Sequence, residues 1–122
     1  PASLDGLRVL VVDDEPLVLR AVESLLSRAG ARVRTAFDGQ DGIEAYDSEG
    51  PFDLVVLDLT MPRRHGSEVM AVLRERSPAL PILVMSGYPD TQASSDAHTH
   101  FLQKPFRPPE LLERVESLLV TG

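Results

Sequence analysis

Short apolar runs alternate along this chain with segments in which apolar residues recur at helical spacing. The runs are LRVLVV (7–12), ARVRTA (31–36), DLVVL (53–57), PILVM (81–85) and FLQ (101–103). A nearly continuous aliphatic run is typical of a strand that is covered on both faces. Strands that alternate with helices favour a parallel sheet with helices on both sides. The pattern therefore predicts a doubly wound α/β fold.

The segments between the runs predict helices at 15–29, 38–49, 67–76 and 108–120. Asp38 stands at the N-cap of the second of these helices, and Gly30 provides the stop signal after the first. Arg32 and Arg34 give the second strand one solvated face, which places that strand at an edge of the sheet. The start of the chain has no basic region followed by an apolar core, so a signal peptide is not predicted.

The segment 88–100, YPDTQASSDAHTH, is the least regular part of the chain. A fifth helix is expected there by the alternation, but the segment has no apolar stripe. A helix without such a stripe has little packing to stabilise it. This helix, the fourth in chain order, is therefore predicted to be absent, very short or disordered.

Composition limits the function classes. A chain of 122 residues is one domain by size, here 1–122, and it can bury a core without a disulfide or a metal. It contains no cysteine, which excludes a thiolate metal site and fits a reducing compartment. The net charge is −7 and the basic residues are scattered in the sequence, which argues against a nucleic-acid or membrane-surface binder. No apolar run reaches membrane-spanning length.

Polar residues follow four of the predicted strands. They are Asp13 and Asp14 after the first, Asp58 after the third, Ser86 after the fourth and Lys104 after the fifth. Parallel strands place ligands at their carboxyl ends, so these side chains are expected at one edge. Three carboxylates roughly 4 to 5 Å apart repel by about 4 kcal/mol per pair at an effective dielectric near 20, so they require a cation or protons. Oxygen ligands without histidine or cysteine favour Mg²⁺ over Zn²⁺.

Each of these residues also has an ordinary structural explanation. Asp13 and Asp14 suit a helix N-cap beside a solvated charge, Asp58 and Ser86 suit turns, and Lys104 suits a solvated surface. Asp58 is the hardest to explain in this way, because an unpaired carboxylate after so apolar a run costs several kcal/mol. Because four strand ends carry complementary groups, a functional site is the better explanation.

With Mg²⁺ present, Asp58 is the candidate nucleophile, since a carboxylate can accept a phosphoryl group and form an acyl phosphate. Ser86 and Lys104 are then expected to bind the phosphoryl oxygens. The three histidines, His65, His98 and His100, fall in loop-like segments and are predicted to be solvated surface residues.

The motifs VLVVDDEP, AFDGQDGIEA, DLVVLDLTMPRRHG, PILVMSG and FLQKPF follow one another along nearly the whole chain. In this order they resemble the receiver domains of bacterial two-component response regulators. The resemblance implies a flavodoxin-like five-stranded parallel sheet with strand order 2-1-3-4-5. It further implies that Asp58 is phosphorylated from a phosphohistidine on a histidine kinase or a histidine phosphotransfer domain, in the cytoplasm.

The resemblance also implies a metal-ligand set. Asp14 and Asp58 would bind Mg²⁺ directly, together with the backbone carbonyl of Thr60, and Asp13 would act mostly through water. Mn²⁺ is the alternative to Mg²⁺ at this site. The side chains of Thr60 and Tyr88 would flank the path of the attacking water and so tune the lifetime of the acyl phosphate. The alternative for Thr60 is a loop side chain that faces solvent.

Two further features follow from the resemblance. Phe101 matches an aromatic residue that turns inward when Ser86 moves toward the phosphoryl group, although a simple core role explains it as well. The peptide bond between Lys104 and Pro105 is expected to be cis. Only about one X-Pro bond in twenty adopts the cis form in folded proteins.

Partner docking is expected on the first helix near Leu17, Arg20 and Ser24, together with the loop 105–108. An exposed leucine suits a partner helix, and local packing explains Leu17 equally well. A homodimer is a further option, whereas direct contact with nucleic acid or membrane is not expected.

The chain departs from the resemblance between Ser86 and Phe101, where it is about four residues shorter than common receivers, roughly one helical turn. We therefore expect an output face other than the usual rigid helix–strand–helix surface. The sequence motifs SGYP and FLQKPF also resemble those of receivers attached to hybrid histidine kinases.

Two other classes remain open. A phosphatase of the haloacid dehalogenase-like kind also uses a strand-end aspartate and magnesium, but it needs a second acid where this chain has Thr60, and it needs a cap domain. A pseudo-receiver would use the same fold as an interaction module with a disabled site. All five candidate positions here carry competent residues, which disfavours it.

Overall fold

A computed structural model describes residues 4–59, 66–87 and 98–121. The strands are β1 (Arg8–Val12), β2 (Arg32–Ala36), β3 (Leu54–Asp58), β4 (Ile82–Ser86) and β5 (Thr99–Gln103). The helices in the described residues are α1 (Pro16–Arg28), α2 (Gly39–Glu49), α3 (Gly66–Arg76) and α4 (Pro108–Thr121). These bounds agree with the predicted elements to within two residues at almost every end.

The five strands form one parallel sheet in the order β2-β1-β3-β4-β5. This order confirms the predicted flavodoxin-like topology, and it confirms that β2 is an edge strand. β3 and β4 lie inside the sheet, and every residue of both strands is buried. Their continuous apolar sequences reflect this position, because helices cover both faces of the sheet.

Alternate residues of each strand face two separate hydrophobic cores. Val9 and Val11 of β1 belong to the core beneath α1 and α4, whereas Leu10 and Val12 belong to the core beneath α2 and α3. The helices contribute residues at the predicted three- and four-residue spacing. Those in the first core are Leu19, Val22, Leu26, Leu111, Val115 and Leu118. Those in the second core are Ile43, Ala45, Val69 and Leu73.

Helix boundaries follow the signals in the sequence. The Asp38 carboxylate accepts a hydrogen bond from the Asp41 amide at 2.8 Å, which confirms the predicted N-cap of α2. Gly30 follows α1 with a φ of 105°, a conformation that glycine adopts without strain. A Cβ at Gly30 would also lie 2.9 Å from the Cα of Asp5, so this turn requires glycine on two grounds.

The region before β5 differs from the prediction. Residues 88–97, where the uncertain helix was expected, lie outside the described residues, and so does His65. Thr99 and His100 belong to β5, because Thr99 pairs with Ile82 and His100 pairs with Leu83 on β4. The prediction of His100 as a solvated loop residue is therefore wrong, and both His98 and His100 are half-buried.

Arginines that are scattered in the sequence come together at the amino end of the sheet. Arg8, Arg32 and Arg34 line a groove of about 280 Å³ beside Phe52 and Glu49. Two of the three already have internal contacts, since Arg34 bonds Glu49 at 2.9 Å and the Arg8 guanidinium lies 4.9 Å from the centre of the Phe52 ring. These contacts within the fold are therefore sufficient to explain why the arginines lie together in this groove.

Candidate functional site

The carboxyl ends of β1, β3, β4 and β5 meet at one edge of the sheet. Backbone hydrogen bonds tie neighbouring ends together: the Leu59 amide donates to Met85 at 2.9 Å, and the Lys104 amide donates to the Ser86 carbonyl at 2.7 Å. The strand register places Asp58 opposite Met85, one residue before Ser86. The structure thus places the predicted polar residues at a common edge.

Three carboxylates form a compact cluster at this edge. Asp13, Asp14 and Asp58 each offer one oxygen atom, and these oxygens lie within 4.8 Å of one another. The Asp13 and Asp58 side chains are buried, and Asp14 is half-buried. Such closely spaced oxygens fit a hard divalent cation such as Mg²⁺, which prefers carboxylate and water ligands. These are the aspartates that the sequence singled out.

The Lys104 ammonium lies against this cluster. Its Nζ is 3.1 Å from Oδ2 of Asp13, 3.4 Å from Oδ1 of Asp58 and 3.0 Å from Oε1 of Glu15. Lys104 is the only lysine among the 122 residues of the chain. Sequence reasoning missed Glu15, although its position directly after Asp13 and Asp14, before the helix, was a signal that a third acidic side chain lies nearby.

Burial and charge shift the protonation of the cluster. Burial raises the pKa of Asp13, although a hydrogen bond from the Glu15 amide at 2.8 Å and the charge of Lys104 both oppose the shift. Burial alone would lower the pKa of Lys104, but the hydrogen bond to Glu15 and the charges of Asp13 and Asp58 outweigh it, so that this pKa is raised. Lys104 is therefore held as a cation, while one ammonium does not fully compensate the buried carboxylates.

Gly66 lies directly against the backbone of Asp58 and Leu59. Its amide donates to the Leu59 carbonyl at 3.0 Å, where α3 begins. A Cβ at this position would lie 2.4 Å from the Asp58 carbonyl oxygen and 2.5 Å from the Cα of Leu59. Only glycine allows α3 to start this close to the end of β3. In the sequence, Gly66 stands directly before the predicted helix at 67–76, and that position gave no sign of this close approach.

Ser86 and Phe101 occupy neighbouring strands. Ser86 ends β4 and is buried. Phe101 belongs to the core beneath α2 and α3, and its backbone carbonyl accepts a hydrogen bond from Arg114 of α4 at 2.6 Å. The core explanation of Phe101 is thus correct, and its role as a switch stays a prediction. The Lys104–Pro105 peptide bond is cis, as expected.

Two predicted site residues lie outside the described part of the chain. They are Thr60, whose carbonyl was the expected metal ligand, and Tyr88, which was expected to border the path of the attacking water.

An apolar groove of about 490 Å³ adjoins the acidic cluster. It lies between α1 and the loop after β5, and Glu15 and Lys104 form its boundary with the cluster. Its other lining residues are Leu17, Val18, Ala21, Pro105 and Phe106. The Leu17 side chain is 81% exposed, so local packing does not account for it. The structure thus brings together the first helix and the loop that the sequence suggested for docking.

Comparison with known proteins identifies this arrangement. The model of the response regulator receiver domain family matches residues 9–116. The chain belongs to this family. Residues 9–116 include the whole sheet except Arg8, the first residue of β1, and they include all five residues predicted at the strand ends. The acidic cluster therefore lies within a receiver domain, and the recognition made from the motifs is confirmed.

Curated relatives and solved structures agree with this assignment. The receiver domain is 36% identical over 113 residues to the transcriptional regulatory protein DltR of Streptococcus agalactiae serotype III (strain NEM316). This match covers 89% of the chain and 50% of DltR, so the chain spans about half the length of such relatives.

Among solved structures, a response regulator receiver protein from Sinorhizobium medicae WSM419 is 34% identical with a TM-score of 0.85, and the match covers 97% of this chain and 98% of that one. The response regulator protein TrrA of Thermotoga maritima, solved in complex with Mg²⁺ and BeF, is 30% identical with a TM-score of 0.80. That match covers 91% of this chain and 97% of TrrA. None of the helices within the described residues has the length and the apolar character that a membrane span requires.

Proposed function

We propose that this receiver domain accepts a phosphoryl group on Asp58 from a phosphohistidine of a histidine kinase or a histidine phosphotransfer domain. The observation that carries the proposal is the buried Asp58 carboxylate, which shares one pocket with two further carboxylates and lies 3.4 Å from the Lys104 ammonium. In this proposal Asp58 is the nucleophile, the three carboxylates bind the cation, and the Lys104 ammonium binds the phosphoryl group.

The residues around Asp58 have complementary roles in this proposal. Asp13, Asp14, Asp58 and the carbonyl of Thr60 hold Mg²⁺, which Mn²⁺ can replace. The bound cation supplies positive charge that offsets the charge of the phosphoryl oxygens. The donor set fits this role, because its carboxylate oxygens lie close together and need a cation to balance their charge. The complex of the related TrrA with Mg²⁺ and BeF supports the same assignment.

The group transfer itself is a displacement at phosphorus. An oxygen of the Asp58 carboxylate forms a bond to phosphorus, the bond from phosphorus to the donor histidine nitrogen breaks, and its electron pair returns to the imidazole ring. The Lys104 ammonium and the Ser86 hydroxyl donate hydrogen bonds to the phosphoryl oxygens. Movement of Ser86 toward those oxygens is then coupled to Phe101 in the core, which completes the switch.

The donor docks on the apolar groove that Glu15 and Lys104 separate from the acidic cluster. Leu17 and Phe106 lie on either side of this groove, on α1 and on the loop after β5. An exposed leucine beside an apolar groove suits a helix of the partner that carries the phosphohistidine. Arg20 and Ser24 continue the exposed surface along α1.

The cellular location of the domain and the longer protein to which it belongs are part of the proposal. We infer one receiver domain over 1–122 that acts in the cytoplasm, without contacting nucleic acid or membrane itself and with a homodimer as an option. The name of the relative DltR refers to transcriptional regulation, so a longer protein that binds DNA is one context, and a hybrid histidine kinase is the other.

Incubation with Mg²⁺ and acetyl phosphate, followed by intact-mass measurement, tests the proposal. We expect a mass gain of one phosphoryl group that is absent in Asp58→Asn and present in Asp53→Asn, which alters an exposed aspartate before the amino end of the same strand. Sustained release of phosphate without a stable adduct would indicate the phosphatase. No gain in the wild-type protein would indicate a pseudo-receiver.

A further inference from the structure

The ammonium group of Lys104 has three N–H bonds, and three carboxylates surround it. Glu15 lies at 3.0 Å, Asp13 at 3.1 Å and Asp58 at 3.4 Å. Of these partners, Asp58 is the most distant. The ammonium thus lies closer to Asp13 and Glu15 than to the proposed phosphoryl acceptor.

The position of Glu15 is set by its backbone. Its amide donates to Oδ1 of Asp13 at 2.8 Å, and its carbonyl accepts from the Leu19 amide at 2.9 Å in the first turn of α1. The backbone of Glu15 is therefore held at the start of α1, and its side chain reaches the Lys104 ammonium at 3.0 Å. A fixed backbone does not order the exposed side chain, so the contact is a modest one, as surface ion pairs are.

The three carboxylates differ in the free-energy cost of losing their contact with the Lys104 ammonium. The Asp13 and Asp58 side chains are 0% and 3% exposed, whereas the Glu15 side chain is 60% exposed. A buried carboxylate that loses its cation is left uncompensated, but an exposed one is hydrated again. Glu15 is therefore the partner that Lys104 can leave at the lowest cost.

We propose that Glu15 is a positioning residue that acts through Lys104, and that it competes with the phosphoryl group for the ammonium. This inference rests on the proposed function, since it concerns the affinity of the same site. The Glu15 carboxylate holds an N–H bond of Lys104 that phosphoryl oxygens on Asp58 need. Removing its charge weakens that hydrogen bond and leaves Lys104 closer to Asp58.

Two opposite effects follow from this competition. In the Glu15→Gln variant, the ammonium is held less strongly and binds a phosphoryl mimic more tightly. The same ammonium lies deeper among the aspartates and opposes the entry of Mg²⁺, so Mg²⁺ binds more weakly. A substitution that only loosened the fold would weaken both ligands, so the opposite signs separate the two explanations.

Calorimetric titration with Mg²⁺ alone, and with beryllofluoride at saturating Mg²⁺, tests the inference. We expect the Glu15→Gln variant to bind beryllofluoride about fivefold more tightly than wild type and Mg²⁺ about threefold more weakly. Changes of this size correspond to the free energy of one partly exposed ion pair. The matched control is Glu113→Gln, which removes the same charge from an exposed site on α4. It is expected to stay within about twofold for both ligands.

A double-mutant cycle shows whether Glu15 acts through Lys104. In a Lys104→Met background, Glu15→Gln is expected to leave beryllofluoride affinity unchanged, and Lys104→Gln replaces the methionine variant if that variant does not fold. An undiminished effect in this background would mean that Glu15 repels the anion directly, which overturns the inference.

Because Lys104 is the only lysine, selective ¹⁵Nζ-lysine labelling gives a single side-chain ammonium signal as a direct reporter. We expect the chemical shift of this signal to change in the Glu15→Gln variant but not in the Glu113→Gln variant. Equal ligand affinities and equal ammonium signals in both variants overturn the inference while leaving the proposed function intact. A wild-type domain that binds no beryllofluoride with Mg²⁺ overturns the proposed function itself.

Discussion

The Nζ of Lys104 lies 3.1 Å from Oδ2 of Asp13, although 91 positions separate the two residues along the chain. Their strands, β5 and β1, are not neighbours, because β3 and β4 lie between them in the sheet. The long lysine side chain spans this distance and contacts Asp58 on the way. The charge balance of the site thus depends on the strand order of the whole sheet.

Replacing Lys104 with methionine should destabilise the metal-free domain by about 3 kcal/mol, because it leaves buried carboxylates without their cation. Mg²⁺ should restore much of this loss, since it supplies the missing positive charge. Urea unfolding in EDTA and in Mg²⁺ measures both effects, with Arg107→Met at an exposed arginine as the control. An equal loss in both conditions would show that Lys104 stabilises by packing rather than by charge.

Asp13→Asn should stabilise the metal-free domain at neutral pH. Burial raises the pKa of Asp13 above its ordinary value of 3.8 in the folded state, so folding favours the protonated form. The stability that comes from this group is present below pH 3.8 and is lost as the pH rises through the folded-state pKa, by about 1.4 kcal/mol per pKa unit. Asparagine does not titrate and avoids the loss.

Thermal unfolding of the Asp13→Asn variant in EDTA from pH 7 down to pH 4 checks this pH dependence. Its advantage over wild type should shrink as the pH falls. Mg²⁺ should stabilise wild type more than the variant, and an advantage that is independent of pH would contradict the role of burial.

Gly66→Ala should cost about 2 kcal/mol and slow the phosphorylation of Asp58. A Cβ at this position would press on the backbone of Asp58 and Leu59, which cannot move without displacing the end of β3. Gly87→Ala is the matched control, because a Cβ there meets no atom within 4 Å. Urea unfolding and acetyl phosphate kinetics measure the two effects, and equal behaviour of the two variants would refute the close approach.

Substitutions at Thr60 and Tyr88 should alter the rate of dephosphorylation more than the binding of a phosphoryl group. The reason is their expected place beside the path of the attacking water, two residues after Asp58 and two after Ser86. The decay of the acyl phosphate, followed by intact mass after removal of acetyl phosphate, gives the lifetime. Unchanged lifetimes in both variants would refute the prediction.

Leu17→Asp should slow phosphoryl transfer from a phosphorylated histidine phosphotransfer domain by about tenfold or more, because it places a charge in an apolar contact. Phosphorylation by acetyl phosphate should stay unchanged, since that small donor needs no groove. Phe37→Asp is the control, because Phe37 is also an exposed large apolar side chain but does not line the groove. Equal transfer rates in the two variants would place the docking surface elsewhere.

Much of the fold was predictable because its signals are local. Aliphatic runs gave the strands, the spacing of residues such as Val22 and Leu26 gave the helices, and Asp38 marked a cap that the structure contains. The bounds of β5 were not predictable in this way. Thr99 and His100 are polar, and they join the strand because Ile82 and Leu83 pair with them.

For the candidate site, too, some features were predictable from local sequence and others were not. By itself the sequence determined which residues end the strands, and the order of motifs around Asp58 was specific enough to name the family. Only the tertiary structure decided that Glu15 shares the ammonium of Lys104 and that Gly66 lies against the carbonyl of Asp58. Such contacts depend on distances between elements that only the packed sheet brings together, whereas strand and helix signals are carried by neighbouring residues in the chain.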